Sequence, residues 1–266
     1  MTEPTVDTVL VDFEPPLATL TLNKPDRLNV LGEPGDGAAI EAAFDRIRAR
    51  EDIRCVILTG AGRAFSAGGD VKAMRDKTGL FAGDPTEIRD AYRHDVHKVV
   101  RAVHRCDKPV IAAVNGPAIG LGCDVAGFAD IRIASETARF GVTFLTLGLA
   151  PGDGGGWLLP RLIGTGRAAE LLFTGEIINA ETALNWGWVS RVVPADDLAQ
   201  TARTLGLKIA ERPSFALAAT KTLLREGQTL GLDALLELTA ALQALAHGHS
   251  DHARALEAFF AGRASR

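Results

Sequence analysis

Two glycine-rich segments carry the residues best suited to hold and polarise a ligand. The first, Ala64-Phe65-Ser66-Ala67-Gly68-Gly69-Asp70-Val71, leaves an apolar stretch through small residues and can present the Gly69 backbone N–H to a ligand. The second, Asn115-Gly116-Pro117-Ala118-Ile119-Gly120-Leu121-Gly122-Cys123-Asp124, leaves another apolar stretch and enters a short helix. The first turn of a helix has N–H groups without an intrahelical acceptor, and that of Leu121 is one of them. Two such donors from separate loops can make an oxyanion hole, which stabilises negative charge developing on a carbonyl oxygen. Asp124 follows Leu121 by three positions, on the same helical face, where its carboxyl group can reach the same ligand.

Other chemistries are poorly served. Gly60-Ala61-Gly62 follows an apolar stretch as a dinucleotide fingerprint would, but the third glycine is missing and no helix pattern opens after it, so a pyrophosphate would lack its helix N-terminus. Neither G-x-x-x-x-G-K-[ST] nor G-x-S-x-G occurs, which argues against a P-loop NTPase and a serine-nucleophile hydrolase. His94, His97 and His104 share one predicted helix, and His247, His249 and His252 lie near Asp251, yet neither set has a convergent carboxylate at metal-ligand spacing. No metal is expected.

Lys and Arg total 29 against 33 Asp and Glu, a net charge of -4, so no general positive field exists to hold nucleic acid. Cys55, Cys106 and Cys123 are odd in number and lack CxxC spacing, so neither a disulfide framework nor a zinc ribbon is signalled. The opening Thr2-Glu3-Pro4-Thr5-Val6-Asp7 is acidic without an apolar core, and no apolar run approaches the roughly 20 residues that span a bilayer. A cytoplasmic protein with no membrane partner is expected. Glycine accounts for 28 of 266 residues, above the usual ~7%. Its clusters at Gly60 to Gly69, Gly116 to Gly127 and Gly148 to Gly156 read as loops gathered about one ligand or as plain tight turns.

The elements that must position these loops follow from hydrophobic periodicity. Strands are predicted at Thr8–Phe13, Ala18–Leu22, Cys55–Thr59, Pro109–Val114 and Ile131–Ala134, with helices at Gly37–Arg50, Glu87–His104 and Leu121–Phe128. Met74 to Ile88 reads as a loop over the ligand. Helices are predicted at Gly155–Ile163, Arg167–Phe173 and Ala180–Trp186, then four more with no strand between them at Asp196–Glu211, Ser214–Glu226, Leu232–His247 and Asp251–Ala261. The chain therefore divides into an α/β body, 1–195, and a helical C-terminal region, 196–266, that folds onto the body or onto a neighbouring subunit.

These two segments, their order, and the later run from Phe140-Gly141 through Leu147-Gly148-Leu149-Ala150-Pro151-Gly152-Asp153-Gly154-Gly155 resemble the enoyl-CoA hydratase/isomerase (crotonase) family. Asn23-Lys24-Pro25-Asp26-Arg27-Leu28-Asn29, Thr174-Gly175-Glu176 to Val192-Val193-Pro194 and Asp251-His252 to Phe259 extend the likeness to nearly the whole chain. The resemblance implies a spiral of β-β-α units with a helical C-terminal trimerisation region, assembled as a homotrimer or a hexameric dimer of trimers. It implies an acyl-CoA thioester substrate, the coenzyme A being part of the substrate and no cofactor being needed. The amides of Gly69 and Leu121 are then the oxyanion-hole donors. Leu121 departs from the family's usual glycine, so its side chain must point away or narrow the acyl pocket. Arg27, Leu28, Ala64, Ala67 and Val71 match positions along the CoA path, with Lys72 a candidate for its phosphates.

Hydratases of this family place one carboxylate at the position of Asp124 and a second at that of Phe144, whose ring cannot activate water. Asp153 occupies the variable position of the Pro-Gly-x-Gly-Gly turn. It is expected either to approach the acyl β-carbon and take over part of that role, or to cap the helix beginning near Gly155. Hydration of a 2-enoyl-CoA, with Asp124 handling water or the β-carbon proton and Asp153 as its partner, is the leading reading; isomerisation of an enoyl- or dienoyl-CoA, another reaction through the same oxyanion hole, and a non-catalytic acyl-CoA binder are the alternatives.

Overall fold

The computed structural model describes residues 8–264; the acidic opening Thr2 to Asp7 lies outside the described residues. In chain order the strands are β1 (Val9–Glu14), β2 (Leu17–Leu22), β3 (Cys55–Gly60), β4 (Val110–Val114), β5 (Pro117–Ile119), β6 (Ile131–Ser135), β7 (Arg139–Gly141), β8 (Ile177–Asn179) and β9 (Arg191–Val193). The helices are α1 (Asp36–Arg48), α2 (Val71–Asp76), α3 (Pro85–Ala91), α4 (His97–Arg105), α5 (Leu121–Gly127), α6 (Gly155–Ile163), α7 (Thr165–Thr174), α8 (Ala180–Asn185), α9 (Leu198–Ala210), α10 (Ser214–Glu226), α11 (Leu232–Gly248) and α12 (Ser250–Ala264).

A six-stranded sheet runs β1-β2-β3-β4-β6-β9, antiparallel between β1 and β2 and parallel from β2 onward. Parallel strands need crossovers, and their helices cover both faces of the sheet. Accordingly every residue of β4, Val-Ile-Ala-Ala-Val, is buried. On one face Val56, Leu58, Val110 and Ala112 join Ile40, Phe44 and Ile47 of α1 and Val99, Val100 and Val103 of α4. On the other, Cys55, Ile57, Ile111, Ala113 and Ile133 meet Leu198, Ala202 and Ala210 of α9, so the first C-terminal helix folds onto the body. A second, three-stranded sheet, β5-β7-β8, stands beside the ends of β4 and β6.

Three expectations are corrected. Strands β5, β7, β8 and β9 were not predicted: each has three residues, too few for a period-two pattern. Met74 to Ile88 is not a loop but α2, a 3-10 turn at Gly79–Phe81 and the start of α3. Asp70 caps α2 through the N–H groups of Lys72 and Ala73, and Asp84 with Glu87 forms a capping box on α3 ahead of Pro85. Finally, the predicted helix Glu87–His104 forms without a break through α3 and α4, but it carries a π turn at Tyr92–Val96. There Asp95 leaves the helical face to accept hydrogen bonds from the N–H groups of Gly35 (2.8 Å) and Gly37 (2.7 Å) at the start of α1.

Candidate active site

The three glycine clusters meet, which favours the gathered-loop expectation over that of plain turns. Gly68 has φ +83°, and a Cβ there would stand 2.3 Å from the Ile119 carbonyl oxygen and 3.2 Å from the Leu121 nitrogen. Only glycine allows both that torsion and that approach. The first loop therefore lies directly on the entrance to α5. Bridges Leu31↔Gly69 and Ser66↔Ala118 continue the contact. Neither the Gly69 nor the Leu121 N–H has an acceptor among the described residues. Two donors from adjoining backbone segments are thus left open.

A network that the sequence reading did not resolve holds this backbone. Buried Asn29 donates from Nδ2 to the carbonyls of Ala61 (2.9 Å) and Ala64 (2.8 Å) and accepts the Lys24 N–H at Oδ1 (2.8 Å). Ser66 Oγ donates to the Asn29 carbonyl (2.7 Å) and accepts the Gly68 N–H (3.1 Å). Asn115 reaches the Gly62 and Ala64 carbonyls. Short polar side chains bonding to backbone in this way replace regular secondary structure in the loop.

Ala67, Gly69, Val71, Leu121, Phe144 and Asp153 line one pocket, which Leu31, Met74, Phe81, Tyr92 and Ile119 make largely apolar. Leu121 belongs to the buried core cluster and also borders the pocket. Phe144, in a 3-10 turn at Thr143–Leu147, is buried beside Gly120. The remaining predicted residues lie outside the pocket. Arg27 is exposed and pairs with Glu33 and Asp70, its contact to Asp70 Oδ2 being 2.6 Å. Lys72 is exposed on α2, and the Leu28 carbonyl accepts the Ala67 N–H. Ala64 is fully buried and meets its neighbours through its carbonyl.

Asp124 and Asp153 are both buried, and each has a carboxyl oxygen, Oδ1, with no hydrogen-bond partner. Asp124 lies behind the pocket wall, where its Oδ2 accepts the Gly155 N–H at 3.2 Å. A Cβ at position 155 would come within 2.6 Å of Asp124 Oδ1, so glycine is needed for the two loops to close on the carboxyl. Burial, with the negative charge of Asp153 added to it, holds the Asp124 carboxyl well above the ordinary carboxylate range, against the opposing Gly155 N–H. Burial pushes Asp153 up to about 7. The capping expectation for Asp153 fails: Gly154 is the N-cap of α6, with no side-chain cap bond. Asp153 instead faces the pocket with the proton affinity of a neutral-pH acid and base.

His247 Nδ1 and His252 Nε2 lie 3.2 Å apart and His249 stands 3.5 Å from Asp251, but His94, His97 and His104 do not converge. His94 is exposed, His97 contacts the Gly152 carbonyl, and His104 packs edge-on against Phe128 and Trp157. Among the described residues no group of three or more His, Cys, Asp or Glu side chains is arranged to hold a metal ion, and no helix is long and apolar enough to cross a membrane. Tyr92 and Val96 at the pocket were missed, although their i, i+4 spacing with Val100 on the predicted helix was the available signal.

Residues 12–264 match the family model for enoyl-CoA hydratase/isomerase. The chain belongs to the enoyl-CoA hydratase/isomerase family. Among its relatives, the 1,2-epoxyphenylacetyl-CoA isomerase of Escherichia coli is 37% identical over 255 residues, covering 96% of each chain. The short-chain-enoyl-CoA hydratase of Clostridium acetobutylicum is 34% identical over 259 residues, covering 97% of this chain and 96% of that one. The enoyl-CoA hydratase crystal structure from Bacillus anthracis superposes with a TM-score of 0.88 at 33% identity over 96% of each chain. The family's fold is therefore the fold of this chain, and both hydratases and isomerases stand among its relatives.

Proposed function

We propose that this enzyme adds water reversibly across the double bond of a 2-enoyl-CoA. The observation that carries the reading is Asp153: a buried carboxyl with a free oxygen, set in the same pocket as the open amides of Gly69 and Leu121. With the thioester carbonyl oxygen on those amides, a water oxygen bonds to the β-carbon while its proton passes to ionised Asp153. The double-bond electrons move to the carbonyl oxygen as an enolate. Asp153 then returns the proton to the α-carbon and the carbonyl re-forms. Fixed donors favour the enolate over the ground state, and loss of one typically costs about 3 to 4 kcal/mol of barrier. Asp124 keeps its proton and limits the negative charge behind Asp153, while the Phe144 ring excludes bulk water.

On this reading Arg27 and Lys72 meet the CoA phosphates, and Leu28, Ala64, Ala67 and Val71 flank the rest of the CoA path. No cofactor is required beyond the CoA of the substrate. The exposed Leu232, Leu236 and Leu245 of α11, a helix without a buried residue, suit a homotrimer or a dimer of trimers. Light scattering tests the assembly, and a cytoplasmic location completes the proposal.

Isomerisation is the second reading, favoured by one observation: a single carboxyl, Asp153, faces the pocket, and moving a proton between carbons needs only one. Incubation of crotonyl-CoA in oxygen-18 water decides. Loss of enoyl absorbance with label in the product supports hydration. Migration of the double bond in a 3-enoyl-CoA without label supports isomerisation, and binding without either product supports a non-catalytic binder.

A further inference from the structure

Asp153 makes no side-chain hydrogen bond among the described residues, so its direction must be set by the backbone on either side of it. After it, the chain enters α6 through Gly154. Before it, the Gly152 carbonyl oxygen stands 2.9 Å from His97 Nε2. A carbonyl only accepts, so Nε2 carries the hydrogen. The Tyr92 ring packs beside this contact: a Cβ at Gly152 would lie 3.0 Å from its Cε1, and the Tyr92 and His97 rings meet edge-on at 6.1 Å.

The π turn makes this arrangement possible. In a regular α-helix, residues five apart point about 140° away from each other. Here the His97 N–H bonds to the Tyr92 carbonyl, five residues back, which brings both rings to one side of the helix. The other side of the same turn is tied to the start of α1 by Asp95. The turn is therefore held from behind while it holds Gly152 in front.

We infer that His97 is a positioning residue: by holding the Gly152 carbonyl beside the Tyr92 ring, it fixes the turn that aims the Asp153 carboxyl into the acyl pocket. The inference rests on Asp153 being the proton carrier proposed above. Its mechanism is geometric, because a carrier displaced by about 1 Å loses much of its rate while the substrate still binds.

Steady-state kinetics with crotonyl-CoA, together with thermal unfolding of the full chain, test it. His97→Leu is expected to lower kcat about tenfold, with KM and the unfolding midpoint close to wild type. Should it fail to fold, His97→Asn serves the same purpose, since its shorter amide falls short of the Gly152 carbonyl. His97→Gln, which carries an N–H donor at nearly the position of Nε2, is expected to restore kcat to within about twofold. Equal kcat in His97→Leu or His97→Asn and wild type, with Asp153→Asn inactive, overturns the inference alone. Full turnover in Asp153→Asn overturns it together with the role proposed for Asp153.

Discussion

Asp124 is carried by α5, a helix whose seven residues are all buried, whereas Asp153 is carried by an irregular turn between exposed Leu149 and the start of α6. The helix places its carboxyl within the fold, where Gly155 donates to it and the pocket does not reach it. The turn places its carboxyl at the pocket and leaves it without a partner. Both gain affinity for a proton through burial, but only the one on the turn lines the pocket. On the proposed reading, a rigid element stores a proton beside a less regular one that delivers it. Four measurements can break or sharpen that contrast.

Removing the proton carrier should have the largest effect. Asp153→Asn is expected to lower turnover 10²-fold or more, the ordinary range for a lost general acid and base. The fold should persist, because the amide matches the carboxyl in size and no protein hydrogen bond is lost. Steady-state assays set beside a thermal melt check both halves.

The same pair of proteins gives the second measurement. A carboxyl raised from 3.8 to about 7 by folding stabilises the folded state below 3.8, and that contribution is lost as pH rises through about 7. Asp153→Asn lacks the effect. Its stability relative to wild type should therefore rise between pH 4 and 7 and level off above, by at most about 4 kcal/mol. Denaturant unfolding of both proteins across that range checks the sign; a flat difference would show that Asp153 does not change its proton affinity on folding.

Gly68→Ala tests whether the donor loop and α5 form one unit. The substitution forces a side chain against the Ile119 carbonyl at φ +83°, for a combined cost of about 3 kcal/mol. A lower unfolding midpoint and weaker acyl-CoA binding together are expected, because the strained atoms adjoin the Leu121 amide.

Much of this contrast was legible in the sequence, and the reasons differ by residue. The buried strands around Ile57 and Ile111 and the helices at Gly155–Ile163 and Ser214–Glu226 announce themselves by local pattern. The open amides of Gly69 and Leu121 were legible through the family likeness of their two segments, because glycine content alone also allowed plain tight turns, and Asp124 because helical spacing ties it to Leu121. The π turn was not legible, since the bonds that tie it down run from Gly35 and Gly37, 60 and 58 residues away, to Asp95. Tyr92 and His97 share a side only because of that turn, so their relation to Asp153 was hidden with it. Asn29 stood out as part of a signature, but its bonds to Ala61 and Ala64 exist only once the loops have closed.

Asp124→Asn is expected to have the smallest effect and to discriminate best between the two carboxyls. If Asp124 keeps its proton, the amide replaces a neutral group of similar shape, and the Gly155 N–H still finds the side-chain carbonyl oxygen. Turnover should fall by about tenfold or less, because Asp153 still handles the transferred proton, and a tenfold loss corresponds to about 1.4 kcal/mol of barrier. The pH at which Asp153 titrates in the stability comparison should move little, since a neutral partner exerts little Coulombic pull. A loss as large as that of Asp153→Asn would place both carboxyls in the transferring step. Hydration would then draw on two proton carriers rather than one, and the helix would be delivering its proton rather than storing it.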